Sequence, residues 1–162
     1  MKTFNQFLKE SLDNPYSFKR VSPAKNKTKH KYSFSDDNGN ETHVYITHDR
    51  DFPRAQVDFT DSAGSHEKTN KAGTSSVRHI ATVKKIMDQH AEKHPDLKLY
   101  HFYGAKKKTG TKPHPHGGEI ETYGDNGRTR LYKRLTKMAG GETHDSGSHE
   151  SHHVIPIKRS SK

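Results

Sequence analysis

The chain has 162 residues, a formal net charge of +10 and no cysteine. That length suits one domain, or one domain plus tails. No run approaches the ~18 apolar residues of a membrane span, and without cysteine a disulfide scaffold or a thiolate-held metal is excluded. Leu, Ile, Val and Phe together make only 25 residues, below the roughly 20% at which a highly charged chain is expected to be disordered. A core can form only if these few residues fall at helix or strand period.

In chain order, residues 3–12 read as a short amphipathic helix. Thr3 and Gln6 have capping-box spacing, and Phe4, Phe7, Leu8 and Leu12 fall on one stripe. Pro15 disfavours helical geometry at Asn14 and stops it. So short a helix is marginal alone and must dock on something, in cis or in trans. Four strand-like runs follow. Tyr16, Phe18 and Arg20 alternate with polar residues. Lys29–Phe34 carries Tyr32 and Phe34. His43–Thr47 carries Val44 and Ile46, and Ala55–Thr60 carries Val57 and Phe59. Asp36-Asp37-Asn38-Gly39 is a hairpin-type turn, so these runs describe an antiparallel meander.

A longer helix follows, capped by Ser75 or Ser76, with Val77, Ile80, Val83, Ile86, Met87 and Ala91 at helical spacing. His94-Pro95 ends it. Leu97–Gly104 is a strand apolar or aromatic on both faces, hence an inner one. Residues 105–127 read as a long loop with at most a small ribbon at Glu119–Tyr123. Arg128–Ala139 is a second amphipathic helix, with Leu131, Leu135 and Met138 on one face and Gly140-Gly141 as its C-cap. Thr143–Ser151 is polar and expected to be mobile, and His153–Lys158 reads as a closing strand. The fold class is α+β: a mostly antiparallel sheet with two packed amphipathic helices plus a short N-terminal helix.

The charge is unevenly spread. Lys25, Lys27, Lys29 and Lys31 alternate along one stretch. Lys106, Lys107, Lys108 and Lys112 sit in residues 105–118 with no acid among them, and Lys158, Arg159 and Lys162 form a basic end to the chain, with 159–162 as the tail beyond the domain. Such a surplus favours an anionic partner. With Tyr100, Phe102 and Tyr103 nearby, the loop lysines are candidates to hold phosphates while aromatics stack bases, independent of sequence. Met1–Glu10 lacks the apolar run of a secretory signal, and the absence of cysteine fits a reducing compartment.

Met1-Lys2-Thr3-Phe4-Asn5-Gln6-Phe7-Leu8-Lys9-Glu10 resembles the capsid-targeting leader of internal head proteins from large contractile-tailed bacteriophages. That resemblance implies a leader over residues 1–12 that binds the assembling scaffold. It also implies cleavage by the prohead protease after the Glu of a Leu-x-Glu motif, here Leu8 and Glu10. The domain proper is then 13–158.

Over residues 16–158 the element order is similar to the GNAT acyltransferase fold. In that family an (Arg/Gln)-x-x-Gly-x-(Gly/Ala) turn opens a helix, whose unpaired N–H groups and positive dipole end bind the pyrophosphate of coenzyme A. Asn70-Lys71-Ala72-Gly73-Thr74-Ser75 sits at that place, followed by Ser76. It departs from the motif with Asn70 for Arg/Gln and Ser75 for Gly/Ala. The resemblance also implies a helical Tyr that protonates the departing thiolate. Tyr132 in Arg130-Leu131-Tyr132-Lys133 fits that pattern. The alternative for Tyr132 is a partly buried aromatic covering the sheet. His48, Asp58 and His101 are strand candidates for a general base.

Fourteen histidines raise the question of a metal. The dense groups are His114-Pro115-His116 and His144, His149, His152 and His153. They lie in Gly/Ser/Pro-rich stretches without a paired motif such as H-E-x-x-H, so no metal site is expected. His43 and His48 do not make a two-histidine phosphoesterase, because Ile46-Thr47-His48 has the wrong order. The expected function is a bacteriophage virion-associated basic protein, head-interior or structural, on a GNAT-like scaffold without catalysis. It would be made in the host cytoplasm, carried with capsid or scaffold proteins, and in non-specific contact with packaged DNA and no membrane. The alternatives are an acetyl-CoA-dependent N-acetyltransferase, and a capsid, neck or tail interaction module.

Overall fold

The computed structural model describes residues 3–21, 28–61, 74–125, 127–145 and 149–159. Its elements are α1 (Phe4–Asp13), β1 (Phe18–Val21), β2 (Lys29–Ser35), β3 (Glu41–His48), β4 (Arg54–Asp61), α2 (Thr74–Lys93), β5 (Leu99–Pro113), β6 (Glu119–Asp125), α3 (Gly127–Met138), β7 (Glu142–Asp145) and β8 (Glu150–Pro156). The sheet runs β1-β2-β3-β4-β5-β8-β7, and β6 pairs the far half of β5. Among the described residues every pairing is antiparallel except β4 with β5, which α2 bridges and which lasts only from Arg54↔Leu99 to Gln56↔His101. The fold is α+β and mostly antiparallel.

The core follows from strand and helix period. Val44, Ile46, Val57, Phe59, Tyr100 and Phe102 share one sheet face. Ile80, Val83, Ile86 and Met87 of α2 cover it, as do Tyr132 and Leu135 of α3. Each fully buried Val, Ile or Phe contributes roughly 1.5–3 kcal/mol. With few aliphatics available, tyrosines fill the gaps, and their hydroxyls need partners inside. Tyr100 donates to the Met87 carbonyl at 2.7 Å. The β2–β3 turn closes on Asp36, whose Oδ1 accepts from the Asn38 and Asn40 N–H groups at 2.9 Å, while Gly39 takes φ +78°.

At the start of the chain, Thr3 Oγ1 accepts from the Gln6 N–H and the Gln6 side chain accepts from the Thr3 N–H. The helix so capped, α1, lies against α2. The domain then takes hold of the chain. Arg78 Nε donates to the Asn14 carbonyl at 2.9 Å, and the Tyr16 N–H donates to Thr82 Oγ1 at 2.9 Å.

Three stretches differ from the sequence expectation. Residues 105–125 are not a long loop: β5 continues to Pro113, and the ribbon expected at Glu119–Tyr123 is β6, which pairs it from Lys106↔Asp125 to Pro113↔Glu119 with a register shift between Lys108 and Gly110. Gly117 and Gly118, both at positive φ, close that hairpin. Its residues are mostly exposed and polar, and none is buried, so no apolar alternation marks them. Thr143–Ser151 contains β7 and the start of β8, joined from Glu142↔Val154 to Asp145↔Ser151. An exposed, charged edge strand of this kind resists pairing with other chains and leaves no hydrophobic pattern to read. Third, Arg159 is not part of a loose basic tail. Its guanidinium donates to the carbonyls of Ala91, His94 and Leu97 and satisfies the open end of α2.

Candidate functional site

Four histidines gather at the carboxyl end of α2. His30 and His48 lie on adjacent strands. Because His30 pairs with Ile46, His48 is its diagonal neighbour on the same sheet face. His90 and His94 are four residues apart, so His94, just past the last residue of α2, falls beneath His90. One ligand atom from each ring lies within 4.8 Å of the others. The His90 and His94 rings stack at 4.2 Å, His30 meets His90 edge-on at 4.7 Å, and His48 meets His94 at 4.7 Å. His30 and His90 are buried, while His48 and His94 are half-buried.

Hydrogen bonds define the state of the cluster. His48 Nε2 and His90 Nε2 are 2.7 Å apart, so one proton sits between two ring nitrogens. His90 Nδ1 is 2.8 Å from the Tyr32 hydroxyl, which burial keeps protonated by raising its pKa. Arg20 Nη2 is 2.9 Å from His30 Nδ1. A guanidinium only donates, so this Nδ1 accepts and the ring proton is on Nε2. Burial, then the neighbouring imidazoles, lowers the pKa of His30 to about 4 and that of His90 to about 2. Burial also lowers His48 and His94. All four rings are neutral near pH 7, which is the form that ligates metals.

The histidines that the sequence singled out by density are arranged differently. His114 and His116 are exposed at the hairpin tip. His152 stacks on Tyr103 at 4.7 Å, and His149 packs edge-on to Tyr123. His153 is fully buried, with Nδ1 2.9 Å from Thr143 Oγ1 and Nε2 2.8 Å from Ser151 Oγ. The one local sign of the four-histidine set was His90-x-x-x-His94 on a helix. The partner strands supply the rest only through their register.

Asn70, Lys71 and Gly73 lie outside the described residues. Thr74, Ser75 and Ser76 form the first turn of α2. Tyr132 is 1% exposed, its ring against Phe59, Phe102 and His153, and its hydroxyl donates to Asp58 Oδ1 at 3.4 Å. Tyr132 is thus a buried aromatic packed over the sheet. Of the three general-base candidates, Asp58 touches Tyr132, His48 belongs to the histidine cluster, and His101 is buried against Tyr103 and His152. A groove of about 1180 Å³ runs between α2 and α3. It is lined by Lys84, Met87, Tyr100, Met138, Ile155 and Arg159 among others, along the carboxyl half of α2.

The four expected nucleic-acid lysines divide. Acids stand beside two of them: Lys106 pairs with Asp145 of β7, and Lys108 with Glu121 across the hairpin. Lys107 and Lys112 are exposed. On the sheet face away from the helices, Lys29 and Lys31 stand over the Tyr45 ring at 4.7 and 5.7 Å. Glu10 is exposed and lies within α1. No described helix is long and apolar enough to cross a membrane. No family model, curated protein or solved structure matches the chain.

Proposed function

We propose that this chain is a basic bacteriophage virion protein, carried in the head interior or as a structural component, on a GNAT-like scaffold that no longer transfers acyl groups. The observation that carries this reading is how the leader joins the domain. Hydrogen bonds from Arg78 to the Asn14 carbonyl and from the Tyr16 N–H to Thr82 tie the chain to α2 from four residues beyond the Leu8-Lys9-Glu10 motif. A cut after Glu10 therefore removes a leader and leaves that anchor whole. The leader is a capped helix too short to be stable alone, as suits a segment that is handed from its own domain to a scaffold.

Co-expression with the prohead protease of the same phage tests this. Intact mass should fall by the ten residues Met1–Glu10, and Glu10→Ala should stop the loss. A chain left uncut by an active protease contradicts the reading.

The GNAT-like scaffold is supported by the element order and by the one parallel pair, β4/β5, bridged by α2. The same observations favour the second reading, an acetyl-CoA-dependent N-acetyltransferase. Calorimetry with acetyl-CoA separates the two. The virion reading expects no binding at millimolar cofactor. Saturable binding, with turnover lost in Tyr132→Phe, favours the enzyme. Contact with packaged DNA is assigned to surface lysines, with exposed Lys29 and half-buried Lys31 beside Tyr45 offering both charge and a stacking ring.

A further inference from the structure

We propose that His30, His48, His90 and His94 bind one divalent first-row transition ion, with Zn2+ the fitting choice, and so tie strands β2 and β3 to the carboxyl end of α2. The four ligand atoms already lie within 4.8 Å of one another. A tetrahedral site with bonds of ~2.0–2.1 Å needs nitrogen separations of about 3.4 Å. Rotation of the half-buried His48 and His94 rings supplies the closure, while the buried His30 and His90 hold still.

The donor set selects the ion. Four imidazoles with no carboxylate suit Zn2+, Cu2+, Ni2+ or Co2+, and not Ca2+ or Mg2+, which require oxygen. Four protein ligands leave no open position, so the site is structural and not catalytic. The proton now held between His48 Nε2 and His90 Nε2 moves to Nδ1 of the ring that carries it. Both rings stay neutral, and two metal–nitrogen bonds replace one hydrogen bond. His90 Nδ1–H then donates to the Tyr32 oxygen, the outer partner that fixes a ligating imidazole.

Arg20 opposes loading. Ligation through His30 Nδ1 takes the lone pair that Arg20 now uses. Ligation through Nε2 moves the ring proton to Nδ1, facing a donor. Either way Arg20 must let go. A chain with so few aliphatics gains most from such a staple, because the four ligands come from segments far apart in sequence.

The test is titration of ZnCl2 into the full, chelator-treated chain by calorimetry, with Co2+ as a spectroscopic stand-in. The expected result is one ion per chain at micromolar Kd or tighter, a higher Tm, and the intense visible bands of tetrahedral Co2+. His94→Gln, at a half-buried position, should keep the far-ultraviolet circular dichroism of the parent and weaken binding at least tenfold. The pair His114→Gln, His116→Gln should leave binding unchanged. No saturable binding to the folded chain overturns the proposal, as does parental affinity in His94→Gln or a weak octahedral cobalt spectrum. In that event the four rings are an aromatic cluster closing the end of the core.

Discussion

Arg20 and His153 show how single residues set the behaviour of this protein. Arg20 donates to His30 Nδ1 and adds positive charge beside the cluster. Arg20→Gln removes both obstacles and should tighten Zn2+ binding by about tenfold, the scale of outer-partner effects, as read by competition with a chelating dye. His153 sits between Thr143 and Ser151, and burial lowers its pKa from the ordinary 6.5 to about 4. Lys133 and His152 push in the same direction, and Asp125 and Asp145 against it. A base held neutral when folded binds fewer protons than when unfolded, so stability rises with pH across that interval. The contribution is complete above pH 6.5 and is lost as pH falls toward 4, up to about 3 kcal/mol. In urea unfolding, the stability advantage of the parent over His153→Gln should therefore shrink from pH 7 to pH 4; an advantage independent of pH counts against this assignment.

Elements differ in how much of them the sequence could reveal. β3, β4 and α2 are legible because Val44, Ile46, Val57, Phe59, Ile80, Val83 and Ile86 must reach one core, and their spacing states the period. The outer half of β5, with β6 and β7, carries no apolar alternation. These strands are held by their backbone ladders, and the ion pairs on them, Lys108–Glu121 and Lys106–Asp145, form only once the strands are in register. The histidine cluster is hidden for the same reason. His90 and His94 are local, but His30 and His48 join them only once β2 and β3 are paired and α2 is docked. The end of α3 shows a turn that was legible in full. Gly140 has φ +70°, the Gly141 N–H donates to the Thr136 carbonyl at 2.8 Å, and a Cβ on Gly141 would lie 2.2 Å from the Val154 carbonyl oxygen. Backbone cannot yield there cheaply, so Gly141→Ala should cost about 2 kcal/mol or more in thermal unfolding, and a neutral result would show that β8 can shift.

Across the whole molecule, a surplus of +10 is spread over a surface on which several lysines already have acid partners. Lys29 and Lys31 flank Tyr45, whereas Lys108 is tied to Glu121. If DNA contact runs through the open sheet face, Lys29→Gln with Lys31→Gln should reduce the slope of log K against log salt by about 1.8. Lys108→Gln should change it little; the reverse order would move the contact to the hairpin. Removal of Met1–Glu10 takes away Lys2, Lys9 and Glu10 and leaves +9, so a processed chain keeps nearly all its affinity for an anionic neighbour. The most direct test of the virion reading is mass spectrometry of purified particles of the encoding phage. The account predicts that this chain is present and begins at Ser11. Particles that lack it, or that carry it only with Met1 intact, would contradict the account.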